Sequence, residues 1–337
     1  MFFFILNYLY VIRTCCRSSS VVEHVIGNDG VGGSIPPCGT RKRVLFMKIG
    51  FVGIGYMGHG MAKNILEKGY SLKFKANIKR KAANDLISRG AIEEKNIQDL
   101  CRDIDVLQLC LSSSDQVEDI LINKKAINFL KKDSVVIDST TANPVSSEKI
   151  IEICTQNNIH FIDAPLGKTP KESWDGNLDA IVGAKKDILE KFRPIIDCWA
   201  GRLVHVGDPG SGHKLKLLNN MLSLSYYSIY YEALTICKQS KISDETFHSV
   251  ISGSRMDNEL FQSFMKYVLD PKEENQHKFS VNNANKDLGY LMSLAMQNNA
   301  PTLMGSAAKQ VFEKAKFNGL GDKNVSELYH LVINKKT

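Results

Sequence analysis

Gly53, Gly55 and Gly58 follow a short apolar run at Ile49, Phe51 and Val52, and a segment with helical periodicity at Met61, Ile65 and Leu66 comes after them. Strand, tight turn and helix in that order can cradle a pyrophosphate, because bare amides and a partial positive charge meet the anion at the helix N-terminus. In such a turn Gly53 makes the bend, Gly55 lets the backbone approach the phosphates without a Cβ, and Gly58 lets the helix lie close to the strand. Tyr56 and Met57, between the last two glycines, belong to the same expected contact. The flanking pattern favours a dinucleotide site over a purely structural glycine turn.

A second set lies far along the chain. Lys216, Asn219, Asn220 and Ser223 fall at relative positions 0, 3, 4 and 7, one face of a helix, beside an apolar stripe of Leu215, Leu218, Leu222 and Tyr226. Spacing alone leaves two readings of this face open, a functional one and a solvated lysine with polar neighbours. Lys75, Asn77, Lys79 and Arg80 sit about 20 residues beyond the glycines, where an acidic residue takes the ribose hydroxyls of NAD and basic side chains accept a 2′-phosphate. They form either a 2′-phosphate site or a solvated basic turn.

The elements that position these residues read as alternating strands and helices. Extended stretches are expected at 70–76, 105–111 and 134–137, with helices at 81–89 and 114–121 between them. This alternation predicts a parallel, doubly wound sheet, with ligands beyond the carboxyl ends of the strands. The loops at Leu111-Ser112-Ser113 and Asp138-Ser139-Thr140-Thr141 therefore point at the cofactor crevice, although Ser146 and Ser147 read equally well as helix caps. Another strand-like run ends at 161–163, and the sheet pattern resumes through 181–183. Gly210-Ser211-Gly212 ends the alternation, and a helix of about 26 residues is expected over 213–238, with only helix beyond it. A domain boundary is placed near Asp208.

The chain has 337 residues, room for two domains, and a net charge of +7 with lysines scattered among acids. That pattern is a solvated surface, so no nucleic-acid partner is expected, and no membrane partner either. The eight cysteines include no Cys-x-x-Cys pair and no zinc-ligand spacing with histidines, which predicts a reduced, cytoplasmic chain without metal. Residues 1–46 fit nothing that follows: the apolar start is too short to span a bilayer and lacks a basic signal. The segments 18–24 and 32–40 resemble the conceptual translation of a transfer-RNA gene. The expectation is a non-native or unstructured extension, with the working protein starting at Met47.

Five segments taken together, 50–60, 138–144, 163–178, 210–220 and 285–289, resemble the β-hydroxyacid dehydrogenase family, which includes 3-hydroxyisobutyrate dehydrogenase. Most members carry Asp-Ala-Pro-Val-Ser-Gly-Gly in the third segment. This chain has Asp163-Ala164-Pro165-Leu166-Gly167-Lys168-Thr169, which is similar to the branch containing 3-sulfolactaldehyde reductase, where Gly-Arg-Thr stands. Lys168 keeps that charge but loses the bidentate fork.

The resemblance implies a Rossmann-like domain over 47–207 and an all-α domain over 208–337, joined by a long helix and supporting a homodimer or homotetramer. It implies NAD(P)H-dependent reduction of a short anionic aldehyde, or the reverse oxidation; the basic residues Lys75, Lys79 and Arg80 and the missing acid favour NADP over NAD. Residue by residue, Lys216 becomes the general acid, Asn220 orients the substrate, Thr140 binds it, and Thr141 and Lys286 border the cofactor. Gly167, Lys168 and Thr169, with Asn219 and Ser223, face the substrate's anionic group. Burial beside Lys286 is expected to lower the Lys216 pKa. The alternative is a non-catalytic NADP-binding scaffold of the same fold. Short-chain dehydrogenases are set aside, because none of the eleven tyrosines has a lysine four residues later.

Overall fold

A computed structural model describes residues 47–76, 80–270, 272 and 278–333. The expectations for residues 1–46 and the cofactor assignments of Asn77 and Lys79 lie outside the described residues.

The apolar run at the start of that region is β1 (Lys48–Val52), buried along all but its first residue, and it leads into α1 (Gly58–Glu67). Then follow β2 (Ser71–Lys75), α2 (Arg80–Ser88), β3 (Ile92–Glu93), α3 (Ile97–Cys101), β4 (Val106–Leu109), α4 (Ser114–Glu118), β5 (Val135–Asp138), α5 (Pro144–Gln156) and β6 (His160–Asp163). These six strands are parallel and lie in the order β3-β2-β1-β4-β5-β6. β4 and β5 are buried at every residue, as central strands covered on both faces must be. One face packs Phe51, Phe74 and Trp199 into a core with α1 and α2. The other packs Leu100, Leu107, Val117 and Val136 against α3 to α5. This is the Rossmann-like doubly wound sheet.

Past β6 the sheet turns mixed. β7 (Leu166–Gly167) pairs antiparallel with β8 (Leu178–Gly183), β8 is also antiparallel to β6, and β9 (Ala200–Gly207) runs parallel to β8. Between them lie α6 (Pro170–Trp174), started by a capping box of Thr169 and Glu172, and α7 (Lys186–Ile196). Trp174 therefore ends a helix, and the strand begins only at Leu178.

The long helix, α8 (Ser211–Gln239), starts against β6, β8 and β9 and ends among α9 (Asp244–Ile251), α11 (Val281–Gln297) and α12 (Leu303–Ala315), with α10 (Glu259–Leu269) completing the helical part. Its core face is Leu217, Leu224, Tyr227 and Tyr231, packed with Phe264, Phe312 and Tyr329. The other apolar stripe, Leu215, Leu218, Leu222 and Tyr226, is 40–56 % exposed and lies on the surface. Among the described residues no helix is long and apolar enough to cross a membrane, and no group of three or more metal-ligating side chains is present.

Candidate active site

The glycine turn has the geometry a pyrophosphate needs. Gly53 has φ +104° and lies so close to β4 that a Cβ there would stand 2.2 Å from the Cys110 carbonyl oxygen. A Cβ on Gly58 would stand 1.9 Å from the Gly53 oxygen, so the start of α1 packs directly on the turn. At Gly55 a Cβ would meet nothing within 4 Å: the space above that backbone is open. No side chain caps the N-terminus of α1 at Met57, although His59 N–H turns back onto the Gly55 carbonyl at 3.2 Å, so no capping side chain competes with an incoming anion there. Turn and helix thus fit the phosphates of a dinucleotide.

Lys75, the last residue of β2, and Arg80, the first of α2, are already engaged. Arg80 forms a fork with Glu93 at the end of β3, at 2.6 and 3.0 Å, and Lys75 donates to the Lys95 carbonyl at 2.9 Å. The charge-assisted bonds to Arg80 hold the Glu93 carboxyl below its usual range. Glu93, on the neighbouring strand, thus lies beside Arg80 at the start of α2.

The loops after β4 and β5 are tied to each other. Leu111 donates its backbone N–H to Thr140 Oγ1 at 3.1 Å, and Thr140 N–H donates to Asp138 at 2.9 Å. Ser112 N–H takes Gln116 as acceptor at 3.1 Å. Thr140, expected to bind substrate, is 1 % exposed, and its hydroxyl is spent inside the protein, so its place here is to hold the two loops together. From the helical side, Lys286 on α11 reaches the Thr141 carbonyl at 3.3 Å, and Tyr290 accepts from Ser114 N–H at 3.3 Å. α11 thereby closes against the crevice.

The Lys216 face is set by how α8 begins. Asp163, at the end of β6, accepts from the N–H groups of Gly210 and His213 at 2.6 and 2.7 Å, so a carboxylate caps the first turn. Gly212 is required there, since a Cβ would meet the Ile181 oxygen at 2.4 Å. The next turn carries Lys216, whose side chain makes no hydrogen bond or ion pair among the described residues. Burial lowers its pKa from the ordinary lysine value, and the negative charge of Asp287 opposes that shift. The expected contribution of Lys286 is corrected: its ammonium is paired with Asp287 at 2.7 Å, and the charge that acts on Lys216 is Asp287. Asn220, one turn on and 7 % exposed, donates to the second Asp287 oxygen at 2.8 Å. Asn219 is exposed, and Ser223 donates to the Asn220 carbonyl at 3.1 Å.

The loop expected to face an anion is bonded within itself. Lys168 pairs with Asp179 at 3.2 Å and donates to the Asn177 carbonyl at 2.9 Å, while Thr169 is engaged by Glu172. Gly167 packs on Asp179, with a built Cβ 3.1 Å from that side chain. An incoming anion must compete with Asp179 for the ammonium. A cavity of ≈ 510 Å³ between α5 and α7 is lined by Ile151, His160, Phe161 and Ile188 and touches none of these residues.

Sequence reasoning missed Asp287, Glu93 and Asp179. Asp287 stands next to Lys286 in a quoted motif, whereas nothing local marks the other two.

Comparison with known proteins agrees with this geometry. Residues 48–207 match the family described as the NAD binding domain of 6-phosphogluconate dehydrogenase. Residues 210–332 match the NAD-binding domain of NADP-dependent 3-hydroxyisobutyrate dehydrogenase. The chain is 27 % identical to 3-sulfolactaldehyde reductase of Escherichia coli, over 84 % of this chain and 95 % of that one. It is also 27 % identical to 2-(hydroxymethyl)glutarate dehydrogenase of Eubacterium barkeri, over 83 % and 93 %. Among solved structures, 3-hydroxyisobutyrate dehydrogenase of Mycobacterium tuberculosis with L-serine superposes with a TM-score of 0.73 at 22 % identity, covering 85 % of this chain and 99 % of that one, which shows the shared fold. With both halves matched in order, and with a glycine turn shaped for a dinucleotide, the chain belongs to the β-hydroxyacid dehydrogenase family of nicotinamide-dependent oxidoreductases.

Proposed function

We propose that the protein reduces a short anionic aldehyde, a semialdehyde or 3-sulfolactaldehyde, to the hydroxy acid, or runs the reverse oxidation, with Lys216 as general acid or base. The observation that carries this reading is Lys216 itself: a lysine with no ion-pair partner among the described residues, its charged form disfavoured by burial, one turn from an asparagine held by Asp287. A lysine that only anchored its helix would be paired.

The nicotinamide, when bound, supplies hydride to the aldehyde carbon. Lys216 gives its proton to the carbonyl oxygen as negative charge develops there, and the ammonium stabilises that charge before transfer. Asn220, oriented through its amide by Asp287, holds the oxygen or the lysine. Thr140 keeps the loops after β4 and β5 in place, and Lys286 borders the cofactor beside the Thr141 carbonyl. Lys168, Thr169, Asn219 and Ser223 face the anionic group, with Asp179 exchanged for it.

On this reading residues 47–207 bind the dinucleotide and 208–337 carry the substrate helix and the assembly surface. A homodimer or homotetramer would cover the exposed stripe at Leu215, Leu218, Leu222 and Tyr226. NADPH is favoured through Lys75 and Arg80, against the competition of Glu93. The test is absorbance at 340 nm with NADH and NADPH in parallel, against sulfolactaldehyde, tartronate semialdehyde, methylmalonate semialdehyde and succinate semialdehyde. Turnover of at least one supports the assignment; cofactor binding without turnover of any would favour the scaffold reading.

A further inference from the structure

The loop after β4 forms a wall of the glycine turn. Cys110 N–H donates to the Val52 carbonyl at 3.0 Å, and a Cβ on Gly53 would stand 2.2 Å from the Cys110 oxygen and 3.1 Å from the Leu111 side chain. The strand order reverses between β1 and β4, which is where an open α/β sheet takes its ligand. A shift of residues 110–114 therefore changes the space into which a dinucleotide must fit.

Side chains hold this loop. Three of its N–H groups donate to them: Leu111 to Thr140 in the loop after β5 at 3.1 Å, Ser112 to Gln116 of α4 at 3.1 Å, and Ser114 to the Tyr290 hydroxyl of α11 at 3.3 Å. Ser114 is buried and passes the contact on, because its own hydroxyl accepts from the N–H of Asn143, the residue that caps α5, at 2.6 Å.

Of these three acceptors Tyr290 alone comes from the helical part, and its place on α11 is not accidental. Lys286, Tyr290 and Gln297 fall at relative positions 0, 4 and 11, one face of the helix. Each reaches across: Lys286 to the Thr141 carbonyl at 3.3 Å, Tyr290 to Ser114, and Gln297 to the Glu148 carboxylate at 2.6 Å. The Lys286 ammonium also stands 4.8 Å from the centre of the Tyr290 ring. Ring and hydroxyl thus have separate partners, a cation for one and a backbone N–H for the other.

We propose that Tyr290 is a positioning residue for the dinucleotide: its phenol oxygen, as acceptor for Ser114 N–H, fixes residues 111–114 against the glycine turn, so that the helical part sets one wall of the cofactor crevice. Phenylalanine in its place would leave the first amide of α4 without that acceptor. The proposal rests on the dinucleotide site; neither the substrate nor the role of Lys216 enters it. Failure of every aldehyde to turn over would therefore leave it standing.

The experiment compares two variants of the full chain. Tyr290→Phe keeps the ring beside Lys286 and loses the acceptor, whereas Tyr290→Leu loses both. NADPH and NADH are titrated in parallel without substrate, by the fluorescence of the reduced nicotinamide, and amide exchange is followed by mass in a peptide spanning residues 111–117. Tyr290→Phe should raise the Kd of the better-bound cofactor about three- to tenfold and speed exchange in that peptide. Tyr290→Leu should do so at least as strongly. A Tyr290→Phe protein that binds both cofactors as wild type does overturns the proposal. If Tyr290→Leu alone then weakens binding, the ring's contact with Lys286 is what matters; if exchange quickens without loss of affinity, the hydroxyl serves structure only. Weakened binding with unchanged exchange also overturns it, because Tyr290 would then act by a route other than Ser114. Should Tyr290→Leu fail to fold, Tyr290→Phe decides alone.

Discussion

Asp287 joins the two helices of the site: one of its oxygens accepts from Asn220 on α8 at 2.8 Å, and the other takes Lys286 of its own helix at 2.7 Å. The same carboxylate is the charge that raises the Lys216 pKa against the lowering effect of burial. Asp287→Asn keeps an acceptor for Asn220 but removes the charge. With that opposition gone, Lys216 should lose its proton at lower pH. Reduction needs the protonated lysine, so the alkaline limb of the pH–kcat profile should move to lower pH. An alkaline limb unmoved in the variant would show that another group sets it.

The fork between Arg80 and Glu93 bears on cofactor choice. A 2′-phosphate reaching Arg80 must first displace a carboxylate held at 2.6 and 3.0 Å. The pair is exposed and screened, so the expected change is modest. Glu93→Gln should raise kcat/KM for NADPH about two- to fivefold and leave NADH nearly unchanged, with the gain shrinking in high salt. An equal change for both cofactors would place Arg80 away from the ribose.

What the sequence makes legible are features carried by neighbours in the chain. Gly53, Gly55 and Gly58 announce a turn because strand and helix flank them within a few residues. The spacing of Lys216, Asn220 and Ser223 announces a helix face for the same reason. The partners of those residues are not legible, because the topology brings them together: Glu93 reaches Arg80 because β3 lies beside β2, and Asp287 reaches Asn220 across 67 residues. Lys168 reads as free to hold an anion because Asp179 arrives on another strand. The stripe from Leu215 to Tyr226 has the same helical period as a core face, yet Leu217, Leu224 and Tyr227 are the residues that pack.

Lys168 has φ +74°, in the left-handed region that favours glycine. For a residue with a Cβ that conformation costs about 1 kcal/mol or more, and the ion pair with Asp179 partly offsets it. Lys168→Gly relieves the strain but gives the unfolded chain more freedom, so its Tm should stay close to wild type. Lys168→Ala keeps the strain and loses the pair, and should melt below both. The same Ala variant should raise substrate KM more than it lowers kcat, since an anion contact is made equally in ground and transition states. Thermal melts and steady-state kinetics on one set of samples check both. Wild-type kinetics with a lowered Tm would assign Lys168 to structure alone.

The last prediction concerns the proton itself. Lys216 has the two properties a general acid needs at the end of a hydride transfer: no partner among the described residues to hold its proton back, and a pKa lowered by burial. A positioned acid contributes about 10² to 10⁴ in rate, so Lys216→Ala should lower kcat by about 10² or more while the cofactor Kd stays near wild type. Lys216→Arg should not restore it, because a guanidinium keeps its charge but does not readily give up a proton. The contrast between the two variants separates proton transfer from charge stabilisation, since the arginine retains the second and lacks the first. Deuteride-labelled cofactor shows whether chemistry limits turnover in each enzyme. If Lys216→Ala runs within threefold of wild-type kcat while an isotope effect shows hydride transfer to be rate-limiting, Lys216 is not the acid, and water must carry the proton.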